Sequence, residues 1–194
     1  RLSGELIRDH MLQASGKLSG KMFGPGVYPP QPLTVLAHAF GNKSWNASKG
    51  EDRYRRSIYT FIKRTAPFAG FMTFDGTSGE NCLAKRDRSN TPLQALTLLN
   101  DEMYLELARS AGEKVHQTKD DPIHALFRRF LTRPPKQSET DALRAYYEQQ
   151  IQRLEKGEIK PSEITATPKA TPELAGKVLL ARAIMNLDEA ITKP

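Results

Sequence analysis

The chain has 194 residues, enough for one substantial domain and too few for two comfortable ones. Hydrophobic residues make up 38% and charged residues 26%, which excludes a disordered chain, and no apolar run reaches the length of a bilayer span. The formal net charge of +7 admits a polyanion partner, yet the excess is spread over many segments, as on a solvated surface.

The opening, Arg1-Leu2-Ser3-Gly4-Glu5-Leu6, carries no signal peptide and reads as the middle of a longer protein. Helical spacing then predicts a first helix from Glu5 to about Lys17, with Leu6, Ile7, His10, Met11 and Ala14 inward and Arg8, Asp9 and Gln13 opposite. Gly20 to Pro32 is rich in glycine and proline and is expected to run extended over the core, anchored by Met22, Phe23, Val27 and Tyr28. Leu33 to Phe40 is expected to be a short apolar helix, followed by a polar loop that carries Trp45. A firm helix is expected from Glu51 to about Arg64, burying Tyr54, Ile58, Phe61 and Ile62. Pro67 stops it, and Phe68, Phe71, Met72 and Phe74 follow as a strand-like aromatic segment.

Thr91-Pro92-Leu93-Gln94 is a strong helix start: threonine at the cap, proline at the first turn, glutamine able to reach back. Leu93, Leu96, Leu98 and Leu99 make that helix apolar nearly all round, as in a buried one. Asn100-Asp101 caps the next, Glu102 to about His116, and Asp121-Pro122 starts another over Ile123, Leu126, Phe127, Phe130 and Leu131. A long helix runs from Ser138 to about Lys156. Residues 158–171, proline- and threonine-rich, are expected to be a mobile connector. Thr171-Pro172-Glu173 then caps a final apolar helix reaching Ile191. These elements predict one all-α domain over residues 1–194, irregular, with six to eight helices and long ordered Pro/Gly-rich loops.

Chemistry-bearing side chains gather between Phe74 and Asp101. Asp75, Glu80 and Asp87 can supply carboxylates for acid/base work or for a hard cation, although their spacing fits no metal motif. Turn capping and pairing with Arg86 and Arg88 is the expected employment over either of these. Cys82, the single cysteine, excludes an internal disulfide, a CxxCH haem attachment and a zinc cluster. Lys85, Arg86 and Arg88 nearby would favour its thiolate, but no histidine is close in sequence, and a small buried packing residue is the expectation. Ser78, Asn90, Gln94 and Asn100 complete the candidate set; the amides could meet a sugar, or bond the loop, complete the cap and link two helices. Arg55, Arg56, Lys63, Arg64, Lys85, Arg86 and Arg88 form a candidate basic patch without an accompanying nucleic-acid motif. No cofactor is expected on this chain, and no reaction can be read from these residues.

Several of these stretches carry a resemblance: Lys21-Met22 through Val27-Tyr28-Pro29, Tyr54-Arg55-Arg56-Ser57-Ile58-Tyr59-Thr60-Phe61, Lys63-Arg64-Thr65-Ala66-Pro67, Thr73-Phe74-Asp75, Cys82, Arg86, Arg88 and Asn90 through Asp101. With Arg133-Pro134-Pro135 and Asn186-Leu187-Asp188-Glu189, they resemble the C-terminal part of the planctomycete secreted domain family, whose function is unknown. The chain departs from the family pattern at Thr77 and Gly79, where relatives tend to have proline and arginine, so it lacks that arginine's anion-binding role. The resemblance implies the end of a large exported protein, periplasmic or secreted, with upstream domains as partners and c-type haem on a neighbour. The expected function is therefore a non-catalytic docking or stabilising module. The alternatives are an enzyme or ligand-binding domain for a polar substrate, possible carbohydrate included, acting through residues 75–101, and polyanion binding.

Overall fold

The structure is a computed structural model that describes residues 1–32, 45–64, 66–79, 82–168 and 170–193. The expected helix at Leu33 to Phe40 lies outside the described residues. Among the described residues there are nine α-helices, two short 3-10 turns and no sheet, which bears out the all-α expectation. The helices are α1 (Gly4–Ser15), α2 (Ala69–Thr73), α3 (Pro92–Asn100), α4 (Glu102–His116), α5 (Pro122–Leu131), α6 (Gln137–Glu155), α7 (Pro161–Thr165), α8 (Pro172–Met185) and α9 (Asp188–Ile191).

Local capping chemistry sets most of their starts. Asp101 accepts from the Met103 N–H at 2.9 Å, Asp121 from the Ile123 and His124 N–H groups at 3.0 Å, and Thr171 from the Leu174 N–H at 3.2 Å. Gly16 closes α1 in the left-handed region, with φ 71°, so that the Lys17 N–H reaches the Leu12 carbonyl at 2.9 Å.

The core is built around α8, which packs against α4, α5, α6 and α7. Leu107, Ala108, Ala111 and Val115 of α4 meet Val178, Ala181 and Ile184 of α8, with Phe127 and Phe130 of α5 and Ile7 and Met11 of α1. Gly112 makes the α4–α8 crossing close: a Cβ there would come within 2.7 Å of Val178 Cγ2 and 2.9 Å of its Cα. The chain ends meet, the Leu2 N–H donating to the Ile191 carbonyl at 2.8 Å and Arg1 pairing with Asp188 at 2.8 Å.

Several sequence expectations are corrected. Residues 51–64 are not one helix but the 3-10 turns Gly50–Tyr54 and Ser57–Tyr59, with Arg55 and Thr60 bridged to Ser19 and Val27. Beyond those turns the main chain pairs with the Gly20 to Pro32 loop: the Val27 N–H meets the Tyr59 carbonyl at 2.7 Å, and the Phe61 N–H meets the Val27 carbonyl at 2.8 Å. The β-branched and aromatic run Ile58 to Ile62 resists a helix as well. Arg8, expected on the outer face of α1, is buried; it donates to the Arg55 carbonyl at 2.7 Å and the Arg53 carbonyl at 3.1 Å. Burial pulls its pKa down to about 10, against the raising effects of Asp9 and Tyr104.

The aromatic segment after Pro67 is helical at α2, not strand-like, because Phe68 and Phe71 turn back onto each other at 5.0 Å between ring centres. Helix α3 is not buried all round, since only Gln94 and Leu98 are fully covered while Leu93 and Leu96 face solvent. The last helix also breaks at Asn186 before α9. Within the expected connector, α7 packs Ile164 against Leu154, Ala175 and Leu179.

Gly112→Ala forces that extra Cβ into Val178 backbone, so stability should fall by about 1–3 kcal/mol. Urea unfolding checks this; an unchanged midpoint would show that α4 and α8 can move apart freely.

Candidate functional site

The polar stretch from Phe74 to Asp101 folds largely onto itself. Asp75, at φ 60°, turns its carboxylate to the Ser89 N–H at 2.8 Å and the Ser89 hydroxyl at 2.7 Å. Those two Ser89 bonds, main chain first, hold the Asp75 carboxyl below its usual range, with Gln94 and the charge of Arg1 adding to them against slight desolvation. Gln94, buried, donates from Nε2 to the Thr73 carbonyl and to Ser89 Oγ, each at 3.0 Å. Its Oε1 accepts from the Thr91 N–H, closing the capping box, and from Arg1. Arg1 also donates to the Ser89 carbonyl at 3.2 Å. One amide thus joins the loop, α2, α3 and the chain start.

The remaining candidates separate. Asn100 accepts from Arg182 at 3.1 Å and links α3 to α8. Ser78 is half-buried in the 76–79 loop, and Glu80 lies outside the described residues. Asn90 is exposed beside the Arg1 end of α3. Cys82 is a free, exposed thiol, which overturns the expectation of a buried packing residue; the segment 82–88 runs over the surface with every residue exposed. Lys85, Arg86, Asp87 and Arg88 border a depression of about 150 Å³ beside Phe74 and Asp75. The basic side chains do not assemble into one patch. Arg55 is buried, Arg56 faces Asp9 at 3.6 Å, Arg86 pairs with Glu5 at 2.8 Å, and Arg64 donates to the Gly79 carbonyl at 3.3 Å.

A larger feature lies next to this stretch. A cleft of about 440 Å³ opens between α1, residues 56–62, α2 and the 76–79 loop. Its apolar lining includes Leu6 (53% exposed), Ile58 (79%) and Ile62 (70%), with Phe61 and Met72 also open to solvent. Such side chains facing one concavity mark an interaction surface more than isolated ones would. Two ion pairs border it, Glu5–Arg86 and Asp9–Arg56, and Asp9 also accepts the Ser57 N–H at 2.7 Å. Burial works to raise the Glu5 pKa, but bonds to its own main chain, Arg86 and Ser3 leave it below the usual value.

Among the described candidates of the Phe74 to Asp101 stretch, Arg86 alone lines this cleft, joined there by Gly76, Thr77 and Gly79 of the same stretch and by Arg56 of the expected basic patch. Periodicity places Leu6, Ile58, Phe61 and Ile62 on core faces; for the last three, the crowding of β-branched and aromatic residues between Tyr54 and Pro67 is the signal in the sequence against a helix. Among the described residues no cluster of His, Cys, Asp and Glu could hold a metal ion, and no helix is long and apolar enough to cross a membrane.

Among family models, that of PSD1, described as a protein of unknown function (DUF1553), matches residues 1–147. Neither a curated protein nor a solved structure matches the chain.

A carboxylate held below its usual pKa stabilises the fold above the usual value and loses that contribution as pH falls through the lowered one. The stability deficit of Asp75→Asn should therefore be largest near neutral pH and shrink below about pH 4; urea titrations at both ends check it. The Cys82 thiol should react fully with a disulfide reagent in the native state, and protection until unfolding would contradict its exposure.

Proposed function

Since the chain belongs to the PSD1 family of proteins of unknown function, we propose that it works as a non-catalytic helical module that docks onto and steadies the rest of a larger exported polypeptide. The cleft carries this reading: exposed Leu6, Ile58, Phe61, Ile62 and Met72 converge on one concavity although α1 and α2 have a core available to them. The polar stretch adds support from the other side. Asp75, Gln94 and Asn100 are spent on internal bonds, and no acid, base and nucleophile stand assembled among the described residues of the stretch.

On this reading the module sits outside the cytoplasm, periplasmic or secreted, in a planctomycete-type protein. Its partners are the upstream domains, and any c-type haem belongs to one of those neighbours. A polar-ligand site, enzymatic or not, has narrower support, namely the exposed Lys85, Asp87 and Arg88 around the 150 Å³ depression. Polyanion binding draws least from the arrangement, because Arg55, Arg56 and Arg86 are buried or paired.

The test is co-purification of this chain with the separately expressed neighbouring region of its own polypeptide. Retention is expected, and Ile58→Glu should weaken it by about tenfold or more, because burying a large aliphatic side chain is worth roughly 1.5–3 kcal/mol. A folded, monomeric chain that retains nothing would sink the docking reading.

A further inference from the structure

We infer that a cavity between α3, the α8–α9 junction and Arg1 binds a small neutral polyhydroxylated ligand of monosaccharide size. The cavity shares no lining residue with the apolar cleft, and the inference does not rest on the docking reading.

The cavity has a volume of about 210 Å³ and joins two stretches far apart in sequence. Arg1, Asn90, Asn186 and Asp188 bring polar groups to it, and Leu98 and Ile191, both buried, belong to its apolar lining. Asn90 is exposed and the Asp188 side chain is 66% exposed, so the cavity is reached from solvent.

Asn186 supplies the observation that points to a ligand. Its Oδ1 is buried and has no hydrogen-bond partner among the described residues. A carbonyl oxygen withdrawn from water and left without a donor costs stability. Backbone geometry gives no reason for asparagine here, since Asn186 ends α8 at φ −90° and ψ 0° and not in the left-handed region that favours it. A water takes roughly 30 Å³, and the cavity offers several times that volume. The space suits a molecule that brings its own hydroxyl to Oδ1.

The other polar groups set the chemical class. Arg1 donates to Gln94 Oε1, to the Ser89 carbonyl at 3.2 Å and to Asp188 Oδ1 at 2.8 Å. One cation and one anion leave the lining without net charge, which favours a neutral ligand over an ion that would have to shed its water. Asn186 and Asp188 present acceptors, while the Asn90 amide offers both a donor and an acceptor. Hydroxyls donate and accept at once and so answer this mixture, and the C–H face of a sugar ring answers Leu98 and Ile191. The volume lies below the roughly 300–1,000 Å³ of drug-sized sites, which limits the ligand to about one ring.

The experiment records amide NMR spectra of the isotope-labelled full chain during titration with D-glucose, D-galactose, D-mannose and N-acetyl-D-glucosamine. Sodium acetate and methylammonium chloride serve as ionic controls. At least one sugar should shift the side-chain amide signals of Asn90 and Asn186 with a millimolar Kd, and neither ion should. Asn186→Leu should weaken that sugar by about tenfold or more, since it removes the buried acceptor. Asn90→Ala, at an exposed position, should weaken it by about threefold or more and keeps the test open if the first variant does not fold. Each variant also identifies its own signal by removing it. Sugars that move neither signal, an ion that binds as tightly as every sugar, or binding indifferent to the substitutions each overturns the inference. Retention of the neighbouring region bears on docking alone.

Discussion

Arg8 reaches out of α1 to the carbonyls of Arg53 and Arg55, and Arg55 reaches on to those of Phe23 and Pro25. Both side chains are 1% exposed, and Arg55 lies 3.8 Å over the Tyr59 ring. Burying a guanidinium costs roughly several kcal/mol unless its donors are used; here the terminal nitrogens of both are used, chiefly on main chain that has no sheet to join, while each Nε is buried without a partner among the described residues. Two long segments, Gly20 to Pro32 and residues 50–64, are thereby fastened to α1 and to each other. The planar fork of arginine suits this service, since it offers several donors in fixed directions. The cleft depends on the same pair, because the segment carrying Ile58 and Phe61 is positioned by the residues that Arg8 holds.

Gln94 plays the matching part on the other side of α1. Its amide collects α2, Ser89, the start of α3 and Arg1. The polar stretch is consequently a brace, and the space it braces is apolar. Thr77 and Gly79 contribute to the cleft without bringing charge to it, and Arg86 arrives already paired.

What could be read from the sequence was what is local. Thr91-Pro92-Gln94, Asp101, Asp121 and Thr171 act within three residues of themselves, so their caps were legible before any tertiary contact was known. The region 51–64 was not, because its fate is decided by Ser19, Val27 and Arg8, tens of residues away. Apolar periodicity identified Ile58 and Ile62 correctly as hydrophobic and wrongly as buried, since a pattern reveals a face and not what covers it. The candidate site was legible as a gathering of polar residues. That Asp75 and Gln94 serve the fold, while Cys82 and Arg88 stand in solvent, is a matter of three-dimensional placement.

The meeting of Leu2 with Ile191, reinforced by Arg1 and Asp188, ties two parts of the chain that are most distant in sequence. Fraying of either one removes the other's partners, so residues 1–2 and 188–191 open together and not separately.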